Sequence, residues 1–162
     1  MSSRRLLCSA FFVLLLIRPG NTPAQDASSC PEPQPAEDRK FHPGQVWAYK
    51  TREDEAGSKI TILKIDSLPR IGEVIHIRID GLRLKNCASG PVVSNVVQHA
   101  PFTRDAIERS VTRLLKNDAP VPDFEEGYSQ WLRHCAGVYS ITVAESVDID
   151  ERTLQQEFRA CD

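Results

Sequence analysis

Read from its N-terminus, the chain shows one short apolar run, a proline-rich polar stretch, and then a region where hydrophobic spacing of two gives way to spacings of three and four. Leu6 to Ile17 is the apolar run, interrupted only at Cys8, Ser9 and Ala10 and preceded by Ser3-Arg4-Arg5. It falls short of the roughly 20 residues that a bilayer core of about 30 Å requires. A short basic start, an apolar core and small residues at Thr22 and Ala24 fit a signal peptide, residues 1–24, cut after Ala24. Ser3-Arg4-Arg5-Leu6-Leu7 also partly matches a twin-arginine signal, although the strongly apolar core favours the Sec route. Gln25 to Lys40 holds Pro31, Pro33 and Pro35 among polar residues without periodicity. It reads as an extended linker, 25–40, ahead of a single domain, 41–162.

Within that domain, Val46, Trp47, Ala48 and Tyr49 form a β-prone run, closed by the charged turn Glu53 to Ser58. Lys59 to Asp66, with Ile60, Ile62, Leu63 and Ile65, is apolar on both faces and predicts a central strand. Ile75, Ile77 and Ile79 then alternate with His76, Arg78 and Asp80, which predicts one buried and one wet face. At Asp80-Gly81 the alternation slips by one. A two-residue hairpin turn pairing Ile79 with Leu82 and Ile77 with Leu84 explains the slip, and a bulge in one long strand is the alternative. Val92 to Gln98 reads as an edge strand. Thr103 is placed to cap a helix whose stripe, Ile107, Val111, Leu114 and Leu115, ends near Asn117. Asp123 with Glu126 predicts a second helix start, carrying Phe124, Tyr128, Trp131 and Cys135 at spacings of four, three and four and stopping at Gly137. Gly127 inside it costs roughly 1 kcal/mol relative to Ala, which implies either a close backbone contact or a weakened first turn. Val138 to Ala144 reads as another strand, and Leu154 with Phe158 as a short terminal helix. The pattern is α+β, an antiparallel sheet of about five or six strands with two or three helices.

Composition adds a boundary. The chain of 162 residues has 20 Lys plus Arg against 22 Asp plus Glu, and 41% hydrophobic with 26% charged residues is ordinary for a globular domain. Removing the signal takes three arginines and no acid, so the net charge of −2 becomes −5. No basic excess is left to neutralise a phosphate backbone, and nucleic acid is excluded as a partner. Cys8 leaves with the signal, and Cys30, Cys87, Cys135 and Cys161 remain, an even number that pairs in an oxidising compartment. Spacing leaves three connectivities open, of which Cys87 with Cys135 and Cys30 with Cys161 is preferred. Ala27-Ser28-Ser29-Cys30 lacks the leading Leu of a lipoprotein box, which argues against a lipid anchor at Cys30.

Candidate chemistry is sparse. His134 and Cys135 are adjacent, so on a helix they diverge by about 100° and do not form a nucleophile and base pair. His42, His76, His99 and His134 lack metal-ligand spacing, the Glu53-Asp54-Glu55 and Glu125-Glu126 clusters fit a turn and a helix first turn, and no cofactor fingerprint occurs. No catalytic residue, metal ligand or cofactor is assigned. Strand parity can instead place Trp47 and Tyr49 beside the row His76 and Arg78, an aromatic and polar surface suited to binding; the alternative puts Trp47 and Tyr49 in the core, which aromatic residues dominate in small domains. The expectation is an exported, periplasmic or secreted, non-enzymatic module without a transmembrane segment in its mature form. Its partner would be a protein, a peptide or a small ligand. The alternative is a small periplasmic hydrolase whose site assembles from distant residues such as His76, Asp80 and His99.

The stretch Phe41-His42-Pro43-Gly44-Gln45-Val46-Trp47-Ala48-Tyr49-Lys50-Thr51-Arg52, with Val74 to Asn86, Pro101-Phe102 and Pro122-Asp123-Phe124-Glu125-Glu126-Gly127-Tyr128, resembles an uncharacterised group of small bacterial domains. The resemblance runs from Phe41 to about Val147 and implies a compact bacterial domain. It brings no activity, cofactor or catalytic residue, and the cysteines are an addition to its pattern.

Overall fold

Ile75, Ile77 and Ile79 do alternate into a core, within a strand longer than the pattern predicts. The computed structural model describes residues 30–87, 90–135 and 137–157, so the expected signal peptide, Phe158 and Cys161 lie outside the described residues. Its strands are β1 (Gln34–Pro35), β2 (Val46–Tyr49), β3 (Lys59–Leu68), β4 (Gly72–Lys85), β5 (Val92–Thr103) and β6 (Val111–Lys116). Its helices are α1 (Arg104–Ser110), α2 (Glu125–Arg133) and α3 (Val143–Glu157). The strands form one antiparallel sheet in the order β5-β4-β3-β2-β6, with β1 paired to the far end of β3. This is the expected α+β architecture, with β3 central.

Two bulges set which side chains face which way. Opposite Ile62 and Lys64 the register of β3 against β4 shifts, so Ile60, Ile62 and Ile65 all join the main core. Lys64 and Asp66, which share parity with Ile60 and Ile62 in the sequence, are thereby turned to the other face. At Gly81, φ is +82° and β4 continues past it as one strand. The hairpin turn expected at Asp80-Gly81 is therefore replaced by its alternative, an irregularity in a long strand. A Cβ at Gly81 would lie 3.1 Å from Ser58 Cα, so the position combines a left-handed backbone with close neighbouring chain.

The main core, with Phe41, Trp47, Ile60, Ile77 and Phe102, is covered by Ala106 and Ile107 of α1 and by Val143 and Val147 of α3. A smaller cluster of Leu68, Val74 and Trp131 lies on the opposite face beneath α2. Thr103 caps α1 as expected, its hydroxyl accepting from Ala106 N at 3.3 Å. That helix ends at Ser110, and Val111, Leu114 and Leu115 belong to β6 rather than to a helical stripe. β-branched Val111 and Thr112 favour the strand, and β6 supplies the partner that β2 lacks on its outer edge. Val138 to Ala144 is not a strand either: it contributes one bridge, Tyr139 to Phe102, before α3 begins. Thr142 and Glu145 form a reciprocal capping box there, with Glu145 Oε2 accepting from Thr142 N at 2.8 Å and Thr142 Oγ1 from Glu145 N at 3.4 Å. The box expected from Asp123 and Glu126 does not form; Asp123 Oδ1 instead accepts from Glu125 N at 3.1 Å. α2 stops at His134, ahead of Gly137.

The described part of the linker is docked rather than free. β1 pairs with Asp66 and Ser67, and buried Asp38 accepts from Phe41 N at 2.8 Å and from Arg104 Nε at 2.5 Å. This docking delivers Cys30 to the end of α2, where it is bonded to Cys135 with their Cα atoms 5.1 Å apart. The preferred pairing of Cys87 with Cys135 and Cys30 with Cys161 is thus corrected at both Cys30 and Cys135. Cys87 is also disulfide-bonded. No helix among the described residues is long and apolar enough to cross a membrane.

Candidate functional site

Lys64 and Asp66, turned over by the β3 bulge, meet His76 and Val74 of β4 beneath α2. Asp66 is fully buried. It accepts from Lys64 Nζ and, at 2.7 Å, from the Tyr128 hydroxyl, which in turn accepts from Lys64 Nζ at 2.8 Å. A buried carboxylate requires such partners, because removing an ion from water costs several kcal/mol. Burial disfavours charge on Lys64, but its bonds to Asp66 and Tyr128 hold its pKa above the ordinary lysine value.

His76 extends this group. Its Nε2 stands 3.3 Å from Asp66 Oδ2, in ion-pair range but off hydrogen-bond alignment, and its Nδ1 lies 2.9 Å from His99 Nε2. The two imidazoles stack with centroids 5.1 Å apart. Burial pushes the pKa of His76 down to about 3, with repulsion from His99 adding to the effect and Asp66 opposing it; burial alone takes His99 to about 4. Both rings are neutral at pH 7. Electrostatic attraction to the carboxylate favours the single His76 proton on Nε2, and in that tautomer His76 Nδ1 accepts from His99 Nε2–H. His99 Nδ1 is left with its lone pair and has no partner among the described residues.

The aromatic stripe of α2 covers this pair. Trp131 meets His76 edge-on with centroids 4.9 Å apart, Tyr128 does so at 5.2 Å, and Phe124 stacks on His99 at 6.3 Å. Gly127 is what lets α2 approach, since a Cβ there would lie 2.7 Å from His99 Cβ. Of the two explanations for this glycine, the close contact is the one observed. Gly127→Ala is expected to destabilise the protein by about 1 to 2 kcal/mol, overpacking outweighing the roughly 1 kcal/mol gained in helix propensity. Denaturant melts decide by sign, because a glycine in open space would show a gain.

Beside His99, along the edge of β5 and between α2 and α3, a cleft of about 660 Å³ opens. Val97, His99, Trp131, Val138, Tyr139 and Asp150 are among its lining residues, and among the described residues no Lys or Arg lines it. Asp150 Oδ1 accepts from the Tyr139 hydroxyl at 2.9 Å. Burial raises the pKa of Asp150 against the opposing pull of that bond, and burial together with Asp150 raises Tyr139 to about 12. Among the described residues no group of three or more His, Cys, Asp or Glu is placed to hold a metal ion.

The surface expected from Trp47, Tyr49, His76 and Arg78 does not form. Trp47 packs edge-on to Phe41 in the main core, with its Nε1 donating to Gln45 Oε1, and Tyr49 is buried there with its hydroxyl 2.8 Å from Ser58 Oγ. The His76 side of β4 is wet only beyond His76 itself: His76 is fully buried by α2, while Arg78, part exposed, bonds Asp80 at 2.9 Å. Of His76, Asp80 and His99, the structure joins the two histidines and supplies Asp66 where Asp80 was expected. Sequence reasoning passed over Lys64 and Asp66, although two charges inside a strand apolar on both faces signal a buried pair. Compared with known proteins, the chain matches no family model, no curated protein and no solved structure.

Proposed function

We propose that the chain acts in the periplasm or as a secreted protein, as a non-enzymatic binding module whose ligand sits in the cleft beside His99. The cleft carries this reading: its volume of about 660 Å³ and its apolar and aromatic walls with a few polar groups are those of ligand sites. Export is supported by the N-terminal pattern and by the Cys30–Cys135 disulfide, which suits an oxidising compartment. Compounds found by thermal-shift screening against a Trp47→Phe background should change Trp131 fluorescence and lose that effect in His99→Ala. Hits that leave Trp131 unaffected would move binding away from the cleft, and recovery of intact Met1 in the cytoplasm would overturn export.

Acid–base hydrolysis is the second reading, favoured by the Asp66, His76 and His99 chain that ends in a free imidazole nitrogen at the cleft. It is weaker because among the described residues no Ser, Thr or Cys lines the cleft and because burial makes His99 a poor base. An ester or peptide hydrolysis rate that falls at least about a hundredfold in His99→Ala would reverse the order.

A further inference from the structure

Three features of the cleft wall point to one ligand chemistry, given that the cleft is the binding site proposed above. Asp150 bonds only the Tyr139 hydroxyl, and among the described residues neither of its oxygens meets a Lys or Arg. A carboxylate drawn partly out of water without a counter-charge is unfavourable, and a cation placed beside it relieves that cost. With its proton on Nε2, toward His76 Nδ1 at 2.9 Å, His99 offers an unshared Nδ1 lone pair. It accepts a hydrogen bond and cannot donate one at that atom. Trp131 and Tyr139 add aromatic surface, whose faces attract positive charge within about 6 Å of the ring centre.

We propose that the cleft binds a small organic cation, a primary or secondary ammonium carried on an apolar or aromatic body. The ammonium sits against Asp150, and the body lies against Trp131 and Tyr139. A phosphate or carboxylate ligand would meet the Asp150 charge, and among the described residues no Lys or Arg lines the cleft to receive it. This assignment gives charge complementarity as the basis of selection, where the apolar walls alone would accept any flat molecule.

Calorimetric titration of the chain, with its disulfides intact, tests it using three probes of one shape: 2-phenylethylamine, 2-phenylethanol and 3-phenylpropionate. The amine is expected to bind about tenfold or more tightly than the alcohol, and the acid not to bind. Asp150→Asn retains an acceptor for Tyr139 and should remove the amine's advantage while leaving the alcohol's affinity unchanged. Gln130→Glu, on the same wall, should enlarge that advantage. If the alcohol or the acid binds as well as the amine, the cation assignment fails and the cleft remains a ligand site. If none of the three binds, the assignment and the binding reading fail together.

Discussion

Moving from pH 7 to pH 4.5 is expected to remove about 3 to 5 kcal/mol of folding stability, most of it through His76 and His99. The sign follows from which state holds the protons. In the unfolded chain both imidazoles take up a proton near pH 6.5, whereas burial delays this to about 3 for His76 and about 4 for His99 in the folded protein. Their contribution is whole above about pH 6.5 and falls as the pH drops towards the folded values. His99 is partly exposed, so it is counted at less than its full share. Asp38, whose pKa is lowered by bonds to Phe41 and Arg104 that outweigh burial, adds loss at the acid end. Asp150 works the other way, because its raised pKa lets the folded state take a proton first. Urea melts at the two pH values measure the sum, and His99→Gln should flatten the profile by roughly half. Imidazole NMR signals from these rings that titrate near pH 6.5 would contradict the account.

Asp66→Ala is expected to cost about 3 to 5 kcal/mol, the range for removing one partner from a buried ion pair. Its carboxylate is the common acceptor for Lys64 and Tyr128 and the charge facing His76 Nε2, so the truncation orphans several groups at once. Lys64→Ala should cost a comparable amount, because it leaves the fully buried Asp66 carboxylate without its cation, with the Tyr128 hydroxyl still donating to one oxygen. A double-mutant cycle on the two positions should give an interaction energy above about 1 kcal/mol. Equal, small losses for both single variants would show that the pair is solvated in solution. The protonation of His76 offers a second readout, since Asp66 is what resists the lowering of its pKa.

Alternation and capping made the class of fold legible, and β2, β3 and the core half of β4 follow from Trp47, Ile60, Ile62 and Ile75 to Ile79. What stayed hidden turns on non-local facts. Lys64 and Asp66 could be assigned a face only once the bulge opposite Ile62 and Lys64 was known, and a bulge leaves no fixed composition behind it. Val111, Leu114 and Leu115 fit a helical stripe as well as a strand, and the need of β2 for an edge partner decides between them. The stripe Phe124, Tyr128, Trp131 was found, but its target, the His76 and His99 pair, depends on β4 and β5 lying side by side. For Trp47 and Tyr49 parity leaves a wet surface and the core both open, because it does not say which face the helices cover. Thr142 and Glu145 carried a readable helix-start signature and were masked by the β-prone Val138 to Ala144 run.

The Cys30–Cys135 bond also has a bearing on how the chain matures. If the chain is exported as proposed, it emerges N-terminus first into an oxidising space and presents Cys30 and then Cys87 before Cys135 appears. Oxidation in order of appearance would join Cys30 to Cys87, a non-native bond. The native link passes over Cys87 and spans a separation of 105 residues, so it closes only after almost the whole sheet has been made available. On that route correct maturation would rely on thiol–disulfide exchange, and a host able to oxidise but not to isomerise disulfides should accumulate the misbonded form.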